Sequence, residues 1–125
     1  MWSHLVIAYW IVAGLLALFF LYAGGIKVVQ TQEKLRPMMA WVDSVPMGLV
    51  RTIGVLEVLG AIGLILPPLT GIAPWLALAS AIGFVLVQIG GIILHVSRGE
   101  AKVIGLNIVL VVAAGITAWL ASVWV

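Results

Sequence analysis

The sequence contains no cysteine, two histidines and only ten charged residues in 125, six Lys or Arg and four Asp or Glu. Without cysteine there can be no disulfide, thiol redox relay, iron–sulfur ligation or thiolate zinc site. There is no glycine-rich dinucleotide fingerprint either, so a self-contained oxidoreductase is not expected. With 8% charged residues, against about a quarter in a typical soluble domain, the chain cannot clothe a globular surface in wettable groups. What it has in quantity is apolar sequence: 65% of residues and a mean hydropathy of +1.33. Such a chain belongs in a lipid bilayer.

Crossing a hydrocarbon layer of about 30 Å takes roughly 20 apolar residues at about 1.5 Å each. Four stretches meet that length: Leu5 to Ile26, Leu49 to Leu66 (Arg51 at its edge, Glu57 inside), Trp75 to Ser97, and Val103 to Val125. The expected fold is all-α, an integral membrane four-helix bundle forming a single domain over residues 1–125. Its spans lie near 5–27, 49–66, 75–97 and 103–124, joined by loops 28–48 and 98–102. Pro67, Pro68, Thr70, Gly71 and Pro74 are predicted to end the second helix in a short turn. The first stretch lacks a basic leader and a small-x-small cleavage pattern, and it overshoots the usual apolar length of a secretory leader, so it reads as a span.

Basic residues near span ends are retained on the cytoplasmic side. Lys27, Lys34, Arg36 and Arg51 belong to the first connection, Arg98 and Lys102 to the third, and with four spans these connections share one side. Both termini are therefore expected outside and both basic loops in the cytoplasm. Trp2, Trp10, Trp75, Trp119 and Trp124 fall toward the outer ends, where indole rings favour the headgroup layer, and only Trp41 is cytoplasmic. The cations beside the membrane are used by topology and by attraction to anionic lipid, so membrane lipid is an expected partner and nucleic acid is not.

In the first connection Met38, Trp41, Val42 and Val45 follow the spacing of one helical face, which predicts a short interfacial helix between spans 1 and 2. Met38, Met39 and Met47 read as apolar packing, not as soft metal ligands. A faint duplication pairs Arg51–Leu56 with Lys102–Asn107 and Gly24-Gly25-Ile26 with Gly90-Gly91-Ile92, each at the same point of a hairpin. Gly54, Glu57, Gly60, Ala61 and Leu64 lie on one stripe of the second span, Gly83, Gly90 and Gly91 thin the third, and Ala114 and Ala118 share a face with Asn107. Small residues of this kind allow the close backbone approach that holds helices together in lipid.

Polar side chains turned inward by that packing are the only chemistry available. Counting about 1.5 Å per residue from the basic boundary puts Glu57 roughly 9 Å deep, Asn107 roughly 7 Å, His95 roughly 4 Å and Gln88 roughly 15 Å. Tyr22 falls at the depth of Glu57, and Lys27 at the boundary. Gln88, Gly91 and His95 share a face with a glycine gap between the polar groups. A polar pocket open to the cytoplasm, formed by Glu57, His95, Gln88, Asn107, Tyr22 and Lys27, is expected. Glu57 is the sharpest signal, because an unpaired carboxylate at this depth must be neutralised or paired. Lys27 and His95 are the candidate ionic partners; the alternative is a neutral carboxyl bonded to Asn107 or Tyr22 that fixes helix register. His95 could equally serve the helix end together with Arg98 and Glu100. His4 and His95 stand at opposite faces, which argues against a two-histidine haem, and no metal site is expected.

Tyr22-Ala23-Gly24-Gly25-Ile26-Lys27, the run Arg51-Thr52-Ile53-Gly54-Val55-Leu56-Glu57-Val58-Leu59-Gly60-Ala61-Ile62-Gly63-Leu64-Ile65-Leu66-Pro67, and His95-Val96-Ser97-Arg98-Gly99-Glu100 with Asn107 resemble the DoxX-like family over nearly the whole chain. The resemblance implies a four-span protein of the bacterial plasma (inner) membrane, from a family named after a small hydrophobic subunit linked to quinone-dependent sulfur oxidation. It also implies that Lys27, Glu57, His95, Arg98 and Glu100 occupy characteristic polar positions, whose roles are unassigned in the family. The leading expectation is an accessory or docking subunit of a membrane-bound redox enzyme, with no intrinsic cofactor and with quinone as the ligand of the polar pocket. A small proton-coupled transporter, an assembly or scaffold factor using the methionine-bearing loop, and a homo-oligomer stay open as alternatives.

Overall fold

The computed structural model describes residues 2–125, the side chains of Trp2, Ser3 and Val103 excepted; the outer placement expected of the Trp2 indole lies outside the described residues. The chain is 84% helical, without strands among the described residues. Helix α1 spans Trp2–Val29, α2 is a single turn over Gln32–Leu35, and α3, α4 and α5 span Met47–Thr70, Leu76–Ser97 and Gly105–Leu120. A 3₁₀ turn over Ala121–Trp124 continues α5. The four long helices are apolar and long enough to cross a membrane. Helix α1 packs between α3 and α5, and α4 packs between the same two, so the four close into a ring.

The packing seam follows a spacing of alternating threes and fours. In α3 the buried positions are Val50, Gly54, Glu57, Ala61, Leu64 and Pro68; in α4 they are Ala77, Ala81, Phe84 and Gln88. Helix α5 contributes Leu110, Ala114 and Thr117, and α1 contributes Tyr9, Ala13, Leu16, Phe20, Ala23 and Lys27. An average step of 3.5 residues is the repeat of near-antiparallel helices in a left-handed bundle. Alanines fill much of the seam, with Ala13, Ala61, Ala77, Ala81 and Ala114 almost wholly buried. Lipid gives apolar helices no reason to associate, so the short side chains supply contact by letting backbones approach.

Helix α3 does not stop before the proline pair as the sequence predicted. It runs through Pro67 and Pro68 to Thr70 and ends at Gly71, whose φ of 74° is the left-handed C-terminal geometry that glycine adopts without strain. A proline inside a helix leaves the carbonyl four residues earlier without its N–H partner. For Pro68 that carbonyl is Leu64, and the fully buried Tyr9 hydroxyl of α1 donates to it at 2.6 Å. A side chain of the neighbouring span thus replaces the bond that Pro68 removes. Trp10 and Trp124 stand edge-on to the Tyr9 ring at 5.5 and 5.4 Å. Two of the indoles expected in the headgroup layer therefore help close the end of the bundle, whereas Trp75 and Trp119 are exposed.

The short helix expected between spans 1 and 2 is present as two turns, α2 and a 3₁₀ turn over Ala40–Asp43, with Pro37 in the segment between them. Gln32 Nε2 and Arg36 Nε both donate to Asp43, each at 2.8 Å, and tie the turns together. The Arg36 hydrogen bond holds the Asp43 carboxyl below its usual range. Leu35 and Val42 bury against Val50 of α3. Met38, expected on the same face as Val42, is instead 60% exposed, because the break after α2 removes the continuous register on which that face depended.

Tyr9→Phe should lower stability by about 1–3 kcal/mol, since it orphans the buried Leu64 carbonyl. Pro68→Ala returns an N–H to that carbonyl, so the Tyr9→Phe penalty should shrink by about 1 kcal/mol in the Pro68→Ala background. Thermal unfolding of the four variants in one detergent measures the coupling; additive effects would show that the hydroxyl does not substitute for the missing bond.

Candidate functional site

Helices α1 and α3 come into close backbone contact at Gly24 and Gly54. A Cβ built on either glycine would lie 2.7 Å from the carbonyl oxygen of the other. The helices run in opposite directions, so Lys27 lies one turn beyond this contact on one side and Glu57 one turn beyond it on the other. Helical side chains lean toward their own N-terminus, and in antiparallel helices this tilts Lys27 and Glu57 toward each other across the glycines. A Cβ on Gly54 would fall 2.7 Å from Lys27 Cβ, and one on Gly24 would fall 3.0 Å from Glu57 Cβ. The glycines therefore leave the space through which the two side chains meet.

Lys27 Nζ donates to Glu57 Oε1 at 2.6 Å, with the two residues 7% and 2% exposed. Of the partners weighed for Glu57, the structure brings Lys27 to the carboxylate. Lys27 is correspondingly not a boundary residue: its stem turns back along α1 into the bundle. Arg51 takes over the helix end, donating to the carbonyl of Lys27 at 2.8 Å and to that of Gln30. A cation on the last carbonyls of a helix satisfies unpaired acceptors and opposes the negative end of the dipole. Arg51 was read from the sequence only as a topology signal, and its place one helical turn before Gly54 is the feature that could have revealed this role.

On the opposite wall Asn107 Nδ2 of α5 donates to Gln88 Oε1 of α4 at 2.9 Å. Gly91 makes room for this pair, since a Cβ there would lie 2.9 Å from Asn107 Nδ2. At the end of α4, His95 Nδ1 lies 3.0 Å from Glu100 Oε1. A carboxylate oxygen can only accept, so Nδ1 carries the hydrogen. Arg98 grips the same carboxylate through Nε at 2.8 Å and Nη2 at 3.2 Å, and Nη1 reaches Ser44 Oγ in the first connection. The Arg98 hydrogen bond, and after it that of His95, holds the Glu100 carboxyl below its usual range. These contacts join the two connections on the basic face.

A cavity of about 750 Å³ lies between these groups. Lys27, Glu57, Gln88, Asn107, His95 and Glu100 all line it; Phe19, Phe20, Val87 and Leu110 supply apolar wall, and Pro37–Trp41 with Val45 line its rim. One expectation is corrected by this arrangement. Tyr22 is not part of the site: it is 62% exposed on the outside of α1, because the residue before Ala23 is turned about 100° off the Phe20–Ala23–Lys27 stripe. Arg98 acts from behind the rim, through Glu100 and Ser44, and does not line the cavity. Among the described residues no three His, Asp or Glu converge in a way that could hold a metal ion.

Residues 11–117 match the DoxX-like family. No curated protein and no solved structure gives a significant match.

A buried ion pair is sensitive to the loss of one partner, which leaves the other charge uncompensated. Lys27→Met or Glu57→Leu alone should lower stability by about 3–5 kcal/mol, while the double variant should lie within about 2 kcal/mol of wild type or above it. Unfolding of the three variants in detergent checks this. Single losses that simply add in the double variant would mean that the pair is not the interaction holding these groups.

Proposed function

The chain belongs to the DoxX-like family, and we propose that it is a non-catalytic membrane subunit whose central cavity takes the headgroup of a lipid-soluble carbonyl compound of the quinone class, in the service of a membrane-bound redox enzyme. The observation that carries this reading is the placement of an ammonium and two amides on the apolar wall of one cavity. Its volume of about 750 Å³ lies within the roughly 300–1,000 Å³ range of small-molecule sites, which are mostly apolar with a few placed polar groups. A quinone ring is flat, apolar and edged by two carbonyl acceptors. An ammonium has three donors and an amide NH₂ has two, more than the oxygens of Glu57 and Gln88 take up. Lys27 and the Gln88–Asn107 pair can therefore address carbonyls from two sides, while the Phe20 ring offers an apolar face. The chain's own residues bind and orient in this reading, and electron transfer belongs to the partner.

The family implies the plasma membrane of a bacterium, and the gathering of all six cations on the half of the bundle that bears the first and third connections supports placing that face in the cytoplasm with both termini outside. The cavity then opens inward, beside the partly exposed loop bearing Met38, which is the surface offered to the redox partner.

The binding test uses purified protein in lipid nanodiscs and a short-chain, tail-less quinone analogue, measured by equilibrium dialysis. Saturable binding is expected, weakened by about tenfold or more, roughly 1.4 kcal/mol, in the folded Lys27→Met/Glu57→Leu double variant. Absence of saturable binding to wild type, or equal affinity in the double variant, would reject the quinone site. Orientation is tested with single cysteines in this cysteine-free chain. A membrane-impermeant maleimide added to intact cells should label Thr70→Cys and leave Lys102→Cys unlabelled; the reverse pattern would invert the topology.

A further inference from the structure

Glu57 faces two cavities. Besides the central one, it lines a groove of about 500 Å³ between α3 and α4. Leu56, Leu59 and Leu86, which border this groove, are 54%, 58% and 64% exposed on the membrane-spanning surface. The partition between groove and cavity is a pair of stacked rings, Phe20 on the cavity side and Phe84 on the groove side, with centroids 4.0 Å apart and planes 11° from parallel. The Phe84 ring is seated on Gly60, where a Cβ would lie 2.7 Å from its Cζ. A missing side chain on α3 thus makes the seat for the ring, and the groove that the ring lines also reaches Glu57.

From this we infer that the groove between α3 and α4 is the lateral portal of the central site and holds the hydrocarbon tail of the ligand whose headgroup lies beside Glu57. The inference rests on the headgroup reading above and adds where the tail goes. A groove within a membrane-spanning surface is filled by hydrocarbon, because neither water nor a polar chain is stable there. Its wall is aliphatic and aromatic apart from Ser80 and the Glu57 edge. A tail lying in it would place its attached ring next to Glu57 and Lys27, while rotation of Phe84 off Gly60 opens the way between bilayer and cavity. An amphipathic ligand could then reach the site without passing through the basic face.

The structure supplies a plug that does not disturb the backbone. A Cβ on Gly83, which lines the groove, meets nothing within 4 Å, and the same holds for Gly115 on α5, away from the groove. Gly83→Leu should fill the groove, and Gly115→Leu serves as the control. The probe is a quinone analogue carrying a diazirine in its alkyl tail, photolysed with full-length protein in nanodiscs and mapped by mass spectrometry. Labelling is expected at Leu56, Leu59 and Leu86. It should fall at least about fivefold in Gly83→Leu, stay unchanged in Gly115→Leu, and be displaced by the tail-less analogue. Labelling spread evenly over lipid-facing residues, insensitive to Gly83→Leu, or not displaced by the tail-less compound would overturn the portal. The tail-less analogue's own saturable binding reports the headgroup site independently, so a failure of that site is told apart from a failure of the portal.

Discussion

The arrangement depends on one close contact, the meeting of Gly24 with Gly54 between α1 and α3. Lipid cannot squeeze these helices together, so their association rests on what the backbones can touch. Removing two side chains lets the helices meet at van der Waals distance, and the same removal opens the gap through which Lys27 and Glu57 reach each other. Either charge alone in this position would be prohibitive, and together they are tolerable. Close packing and the buried pair are thus one feature, since a methyl group at either glycine would push apart both the backbones and the ions.

The other polar contacts repeat this logic with less charge. Gly91 admits the Asn107 amide, which bonds Gln88. Gly60 admits the Phe84 ring, which stacks on Phe20. Pro68 fits the same logic, because the acceptor that it strands is met by Tyr9 from the adjoining span. Inside a membrane every such group needs a partner within the protein. Here the partner usually comes from a neighbouring helix, so satisfying the backbone and fixing the helix register are the same act.

Much of this was legible in the residues. Spacing placed Gly54, Glu57, Gly60, Ala61 and Leu64 on one stripe, of which all but Gly60 are buried, and of the residues to which the family resemblance pointed, Lys27, Glu57, His95 and Glu100 line the central cavity while Arg98 does not. What failed was arithmetic along the helix axis without side-chain direction. Counting residues put Lys27 at the boundary and Tyr22 level with Glu57. The lean of a helical side chain carries Lys27 inward, and a rotation of one residue carries Tyr22 out. Pro67 and Pro68 were read as helix breakers because a local rule cannot see Tyr9, which is 55 residues from Leu64 in sequence. The loop face of Met38 and Val42 failed because the segment forms two separate turns with Met38 between them, whereas a periodicity drawn over Met38 to Val45 assumes one continuous helix.

The distribution of polar groups along the bundle bears on what the cavity can do. On the basic half, Lys27, Glu57, Gln88, Asn107 and His95 all line the central space. On the other half, the polar groups of Tyr9 and Thr117 are committed to backbone carbonyls, of Leu64 in α3 and of Ala113 one turn back in α5. Between the halves the seam consists of stacked Phe20 and Phe84 and the alanines Ala13, Ala17, Ala61 and Ala81, and among the described residues no ladder of donors and acceptors runs through it. A conduit needs polar partners along its length, whereas a binding site needs them at one end and benefits from apolar walls elsewhere. The central space has the second pattern: polar groups are gathered in one half of the bundle, with an apolar seam beyond them and a groove leading sideways from Glu57. That pattern is the one the proposed headgroup site requires.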